Sequence, residues 1–168
     1  MPDPAWPGPR EPFDVDAYTR RVRTGPCFVC GILAGDGSQP EEVLHRDDVA
    51  ITFFARPGVL PGHTLVAPVR HLEGAVGSFD EDAYLAVQRR VHRAGRALSA
   101  ALDVERLYVL SLGSRQGNSH VHWHLVPLPP GVPYAEQQFA VFDIARLGVP
   151  AGPASSRAAL ADRVRGLI

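Results

Sequence analysis

The stretch that most constrains this chain is "GNSHVHWHLVP", residues 117–127, where three histidines stand at alternate positions in a protein that holds only seven. An extended strand sends successive side chains to opposite faces. Read as a strand, the segment puts His120, His122 and His124 on one face and Val121, Trp123 and Leu125 on the other. The apolar set then faces a core and leaves a row of imidazoles above the sheet. A helix would pair only His120 with His124, whereas Val121, Trp123 and Val126 favour a strand that Pro127, Pro129 and Pro130 bring to an end. Packing alone has no use for stacked, partly charged rings, so the row points to chemistry or metal binding.

The rest of the composition narrows what that chemistry can be. A chain of 168 residues, 45% hydrophobic and 21% charged, can bury the core of one domain. Its formal charge of −1 shows no basic surplus that would make nucleic acid an obligatory partner. All 17 basic residues are arginines, which removes Schiff-base, P-loop and lysine general-base chemistry. No apolar run approaches the ~20 residues of a membrane span. The start "MPDPAWPGPREPF" lacks the order of a signal peptide, so a cytoplasmic location without membrane attachment is expected. Cys27 and Cys30 are the two cysteines and form one C-x-x-C, which in a reducing compartment suits metal binding or redox better than a structural bridge.

Along the chain, residues 1–13 read as a Pro-rich tail, flexible or draped, residues 14–135 as the functional domain, and residues 136–168 as a C-terminal extension. "PCFVCGILAGDG" is a short helical or looped segment. "EEVLHRDDVAITFFA" holds two short strands around a turn at Arg46, Asp47 and Asp48, and "HTLVAPV" is a further strand ending near Pro68. Ser78 and Glu81 have capping-box spacing ahead of Tyr84, Val87, Val91, Ala94, Leu98 and Ala101, which predicts a helix over residues 79–102. "RLYVLSLG" is the strand that would pair antiparallel with the histidine strand, and "SSRAALADRVRGLI" reads as a terminal helix. His92 lies off the apolar stripe and His45 beside a turn, so both read as solvated.

At this point the motifs carry a resemblance. "HVHWHLV" resembles the His-φ-His-φ-His-φ-φ signature of the histidine triad (HIT) family of nucleotide hydrolases and transferases. "PGHTLVAPVRH" resembles the strand with that family's upstream histidine, and "CFVCGILAGD" the zinc-bearing N-terminus of many bacterial members. The three motifs occur in the family's order over residues 27–127. The resemblance implies an α+β fold, an antiparallel sheet with a long packed helix and a C-terminal helix, paired in a homodimer. It implies a small-molecule nucleotide substrate and makes His122 the nucleophile. His124 and His63 then hold phosphate oxygens, and Ser119 or Asn118 assists the leaving group. The resemblance also completes a structural zinc site of Cys27, Cys30, His71 and His120, and assigns Phe28, Ile32, Leu44 and Phe53 to an apolar slot for the base. Physical reasoning agrees with the chemistry. A neutral imidazole is a good nucleophile near pH 7, and a covalent intermediate divides hydrolysis into two easier displacements.

The pattern also departs from the family. Eight residues before His63 the family commonly carries Asp or Asn for the ribose hydroxyls, whereas here Ala55 offers no acceptor, with Arg56 beside it as a contact to phosphate or ribose. "NSHVH" is similar to the Asn-Pro-His-Pro-His of galactose-1-phosphate uridylyltransferases, which carry Gln where this chain has His124, so hydrolysis is favoured over transfer. Two other classes remain open. A non-catalytic nucleotide- or metal-binding sensor or adaptor is kept in view by Ala55. A catalytic metal held by all three histidines lacks a nearby carboxylate ligand.

Overall fold

The computed structural model describes residues 8–36, 42–112 and 119–168. Asn118 therefore lies outside the described residues. Two strands, β1 (Arg10–Glu11) and β7 (Val149–Pro150), form a small antiparallel pair, and the main sheet is built from β2 (Val43–Arg46), β3 (Ala50–Phe54), β4 (Thr64–Pro68), β5 (Arg106–Leu110) and β6 (Trp123–Leu128). Its strand order is β2-β3-β4-β6-β5, every neighbouring pair antiparallel. The helices are α1 (Val15–Thr24), α2 (Phe28–Ala34), α3 (Glu81–Ala101), α4 (Gln137–Ala140), α5 (Ile144–Leu147) and α6 (Ala154–Arg165). The fold is thus α+β, an antiparallel sheet carrying a long helix and a C-terminal helix.

One face of the sheet makes the main core. Val87, Val91, Ala94 and Leu98 of α3 are buried against Ala50, Phe54, Val66, Val121, Trp123 and Leu125, and α6 adds Leu160, Ala161 and Val164. Gly95 lets α3 come down onto the sheet, because a Cβ there would stand 2.9 Å from a methyl of Leu107. The turn between β2 and β3 is held by Asp47, whose carboxylate accepts from the N–H groups of Val49 and Ala50 and pairs with Arg90 of α3 at 2.9 Å. Val121, Trp123 and Leu125 all enter this core, as the alternation requires, so the histidines belong to the opposite face. That face carries Ile51, Phe53, Leu65 and Ala67 under Val29 of α2.

Several expectations change in detail. The ladder begins only at Trp123, so His120 and His122 precede the strand, and Pro127 lies inside it. Pro127 is tolerated because β4 pairs β6 only as far as Leu125, which leaves Pro127 with a partner on one side, Leu107. The cap of α3 is Asp80, whose carboxylate accepts from the Ala83 N–H at 2.8 Å, while Ser78 instead accepts from the Gly74 N–H. The flexible tail is, from Pro9 on, a draped one. Arg10 and Glu11 pair with Pro150 and Val149, and Asp14 then caps α1 by accepting from Ala17. Among the described residues no helix is long and apolar enough to cross a membrane.

Candidate active site and metal centre

The histidine face opens into a cleft of about 600 Å³. His63, His120, His122 and His124 line its floor, and Ala55, Arg56 and Ser119 its sides. Within it the rings of His122 and His124 have centroids 4.9 Å apart, and those of His63 and His124 lie 5.2 Å apart.

Hydrogen bonds to backbone groups decide where each ring proton sits. A carbonyl can only accept, so His122, with Nδ1 2.7 Å from the His120 carbonyl, must carry its proton on Nδ1 and present the lone pair on Nε2. An amide N–H can only donate, so His63 accepts from Val59 at Nδ1 (3.1 Å) and keeps its proton on Nε2. That Nε2–H stands 2.9 Å from Nδ1 of His124, and the His124 proton is thereby driven to its own Nε2. The result is one basic nitrogen at His122 beside one donor at His124. The expectation that His63 touches a phosphate oxygen directly does not fit, because both of its ring nitrogens are engaged within the protein.

All three rings are held neutral. Burial pushes His63 down to about 3, with the neighbouring His122 and Arg157 acting in the same direction. Burial, then His63 and His122, pushes His124 down to about 2. Burial also lowers His122, against the opposing hydrogen bond to the His120 carbonyl.

At the other end of the row stand Cys27, Cys30, His71 and His120, with their donor atoms all within 4.8 Å of one another. Cys27 is the N-cap of α2, its sulfur accepting from the Cys30 N–H, so both sulfurs of the C-x-x-C stand at the start of that helix beside His71 and His120. The His120 Nε2–H donates to the Pro68 carbonyl at 2.9 Å, leaving Nδ1 as the free lone pair 3.5 Å from Cys27 Sγ and 3.7 Å from Cys30 Sγ. His71 turns Nδ1 to Cys30 Sγ at 3.3 Å and Nε2 to Glu73 at 3.4 Å. A tetrahedral zinc with these ligands would set neighbouring donors ~3.3–3.8 Å apart, so two sulfurs and two imidazole nitrogens in this arrangement fit that ion. Burial and the adjacent Cys27 thiol push the Cys30 thiol up when no cation is present to offset them.

Of the residues assigned to the base slot, Phe28 lines the cleft with its ring 6.1 Å from that of His122, and Arg56 lines it while reaching Glu42 at 3.8 Å. Phe53 is fully buried behind Phe28, their rings 6.0 Å apart, and Ile32 packs in the same cluster, so neither reaches the cleft. Leu44 packs in the core under α3, on the sheet face away from the histidines. Phe142, Asp143, Ile144 and Ala145 of the C-terminal extension also line the cleft. Sequence reasoning missed the wall supplied by Phe13 and by Val15, Tyr18 and Val22 of α1. The signal was there: Asp14 as a cap, followed by large side chains at spacings of three and four.

No family model matches the sequence. It is 33% identical over 106 residues to a protein of Bacillus subtilis named Protein hit, a match covering 60% of this chain and 70% of that one. The fold superposes with a TM-score of 0.65 on a hypothetical histidine triad nucleotide-binding protein from Sulfolobus tokodaii, at 21% identity over 83% of this chain and 90% of that one. A Zn-bound histidine triad family protein from Mycobacterium smegmatis gives a TM-score of 0.63 at 20% identity, covering 84% of this chain and 94% of that one.

Proposed function

The chain belongs to the histidine triad family, and from that premise we propose that it cleaves a nucleotide phosphate, as hydrolase or nucleotidyl transferase, through a covalent nucleotidyl-His122 intermediate. The observation that carries this reading is the distribution of ring protons: the His120 carbonyl leaves Nε2 of His122 as a lone pair, beside the His124 Nε2–H. Nε2 of His122 attacks the α-phosphorus, a P–N bond forms, and the bond to the leaving group breaks. His124 donates to a phosphate oxygen as charge builds up on it, a preorganised contact of a kind typically worth ~3 kcal/mol. Ser119, on the cleft wall, is the described residue available to the leaving group. Water then cleaves the P–N bond and restores the imidazole. Phe28 supplies an apolar face for the base, and Arg56 a cation for phosphate.

Cys27, Cys30, His71 and His120 would hold a structural zinc, whose contribution is to fix the metal-side ends of α2 and of the histidine segment. Because the His120 carbonyl orients His122, a fixed His120 also steadies the nucleophile. A homodimer is supported by β5, one of the two edge strands of the described sheet, where Val109 is 50% exposed and Leu112, just past the strand, 59%. The sensor or adaptor reading rests on Ala55, yet a binding protein gains nothing from an uncommitted basic nitrogen at the floor of the cleft. Rapid acid quench with an α-labelled nucleoside 5′-phosphoramidate tests the proposal. Label should remain on the wild-type chain and be absent from His122→Ala, and near wild-type turnover by that variant would return the protein to the sensor class.

A further inference from the structure

Arg10 does not line the cleft, yet it is engaged behind the loop that precedes His63. Its Nε donates to the Leu147 carbonyl at 2.7 Å, and Nη2 donates to the carbonyls of Gly148, at 2.8 Å, and Val59. Nη1 is buried with no hydrogen-bond partner. An unpaired buried donor on a charged group is costly, so Arg10 holds this position against a penalty. What it gains is a hold on Val59.

Val59 is the residue whose N–H donates to His63 Nδ1, the bond that leaves the His63 proton on Nε2, facing His124. Its side chain is buried among Leu60, Val132, Ala140 and Val141. The amide, side chain and carbonyl of this one residue are thus fixed by three different segments: the histidine loop, the C-terminal extension and the N-terminal strand. The clasp is closely fitted. Gly148 has φ +73°, and a Cβ there would stand 2.1 Å from the Glu11 carbonyl oxygen, so only glycine lets β1 seat Arg10 on these acceptors.

We propose that Arg10 is a positioning residue for the His63–His124 pair: by clamping the carbonyls of Val59, Leu147 and Gly148 it fixes the loop that dictates the His63 tautomer, and through His63 the direction of the His124 Nε2–H. The proposal rests on the reading of His124 as the phosphate donor, but its first measurement needs no turnover. Imidazole nitrogen NMR of histidine-labelled protein, as purified, compares wild type with Arg10→Met. The His63 and His124 signals should move toward mixed tautomers while those of His71 and His120 stay in place. In parallel, kcat for a nucleoside 5′-phosphoramidate should fall roughly ten- to a hundredfold with KM changed less than about threefold. Arg10→Lys, which keeps the charge and part of the hold, should recover some of both. Wild-type His63 and His124 signals with wild-type kcat overturn the proposal, and so does a variant that merely melts earlier. Should Arg10→Met not fold, the same comparison on Arg10→Gln decides it, unchanged His63 and His124 signals rejecting it. If His122→Ala shows that no covalent intermediate forms, the nitrogen signals still judge Arg10 independently.

Discussion

The two ends of the imidazole row use the same side chain for opposite purposes. At one end His71 and His120 turn Nδ1 toward two cysteine sulfurs and anchor Nε2 on a carboxylate and a carbonyl. At the other, His63, His122 and His124 meet no sulfur, and backbone partners distribute their protons so that one nitrogen stays basic and one N–H stays available. The difference teaches that a histidine's role here is set by what its remaining lone pair faces. A carbonyl takes one N–H of both His120 and His122, and what differs is the surroundings of the remaining lone pair: two sulfurs at His120, the cleft at His122.

The sharpest way to break this division is to remove one histidine from each end. His122→Asn should lower kcat by several orders of magnitude with nucleotide binding, metal content and Tm near wild type, since only the attacking nitrogen is lost. Steady-state kinetics beside metal analysis would refute the assignment if kcat held. His120→Ala and Cys27→Ser should fail in the other manner, with zinc falling from about one per chain to none and stability dropping by several kcal/mol in denaturant unfolding. A Cys27–Cys30 disulfide in metal-free protein purified without chelator would remove the metal end altogether.

A smaller effect concerns pH. His63 and His124 stay neutral in the fold down to about 3 and about 2, whereas in the unfolded chain histidine takes up a proton near 6.5. Below pH 6.5 the unfolded state therefore binds more protons, so stability is complete above that pH and falls as acid is added toward the folded values. The loss should reach on the order of 2 kcal/mol for each of the two histidines by pH 5. Urea unfolding of wild type and His124→Asn between pH 5 and 7.5 isolates this effect, because protonation of the metal ligands is common to both proteins. Equal pH slopes would show that His124 is not held neutral. The smallest effect expected is on sugar choice. Ala55, buried at the cleft wall, leaves no acceptor unpaired when a ribose hydroxyl is missing, so ribo- and deoxyribonucleotides should differ by less than about tenfold in kcat/KM. A preference of ~100-fold would mean that another side chain takes the hydroxyl.

Much of the fold was legible because its signals are local. The stripe from Val87 to Leu98 is a helix by its spacing alone, and the placement of Val121, Trp123 and Leu125 in the core follows from alternation. Leu44, Phe53 and Ile32 were not legible as members or non-members of the site, because an apolar side chain looks the same on either face of a sheet and in either layer of its packing. Arg10 and α1 escaped for a different reason: their partners, the Leu147 and Val59 carbonyls and the cleft wall, lie far along the chain, and backbone acceptors leave no mark in a sequence.

By itself, then, the sequence determined the residue types and their period: alternating histidines, paired cysteines one helical turn apart, a lysine-free chain, and an alanine eight residues before His63. Tertiary structure alone decided which nitrogen of each imidazole carries the proton. That choice is made by backbone groups, the His120 carbonyl and the Val59 amide close by in sequence and the Pro68 carbonyl 52 residues away, and since every residue carries the same backbone groups, only the folded geometry selects which one a ring meets.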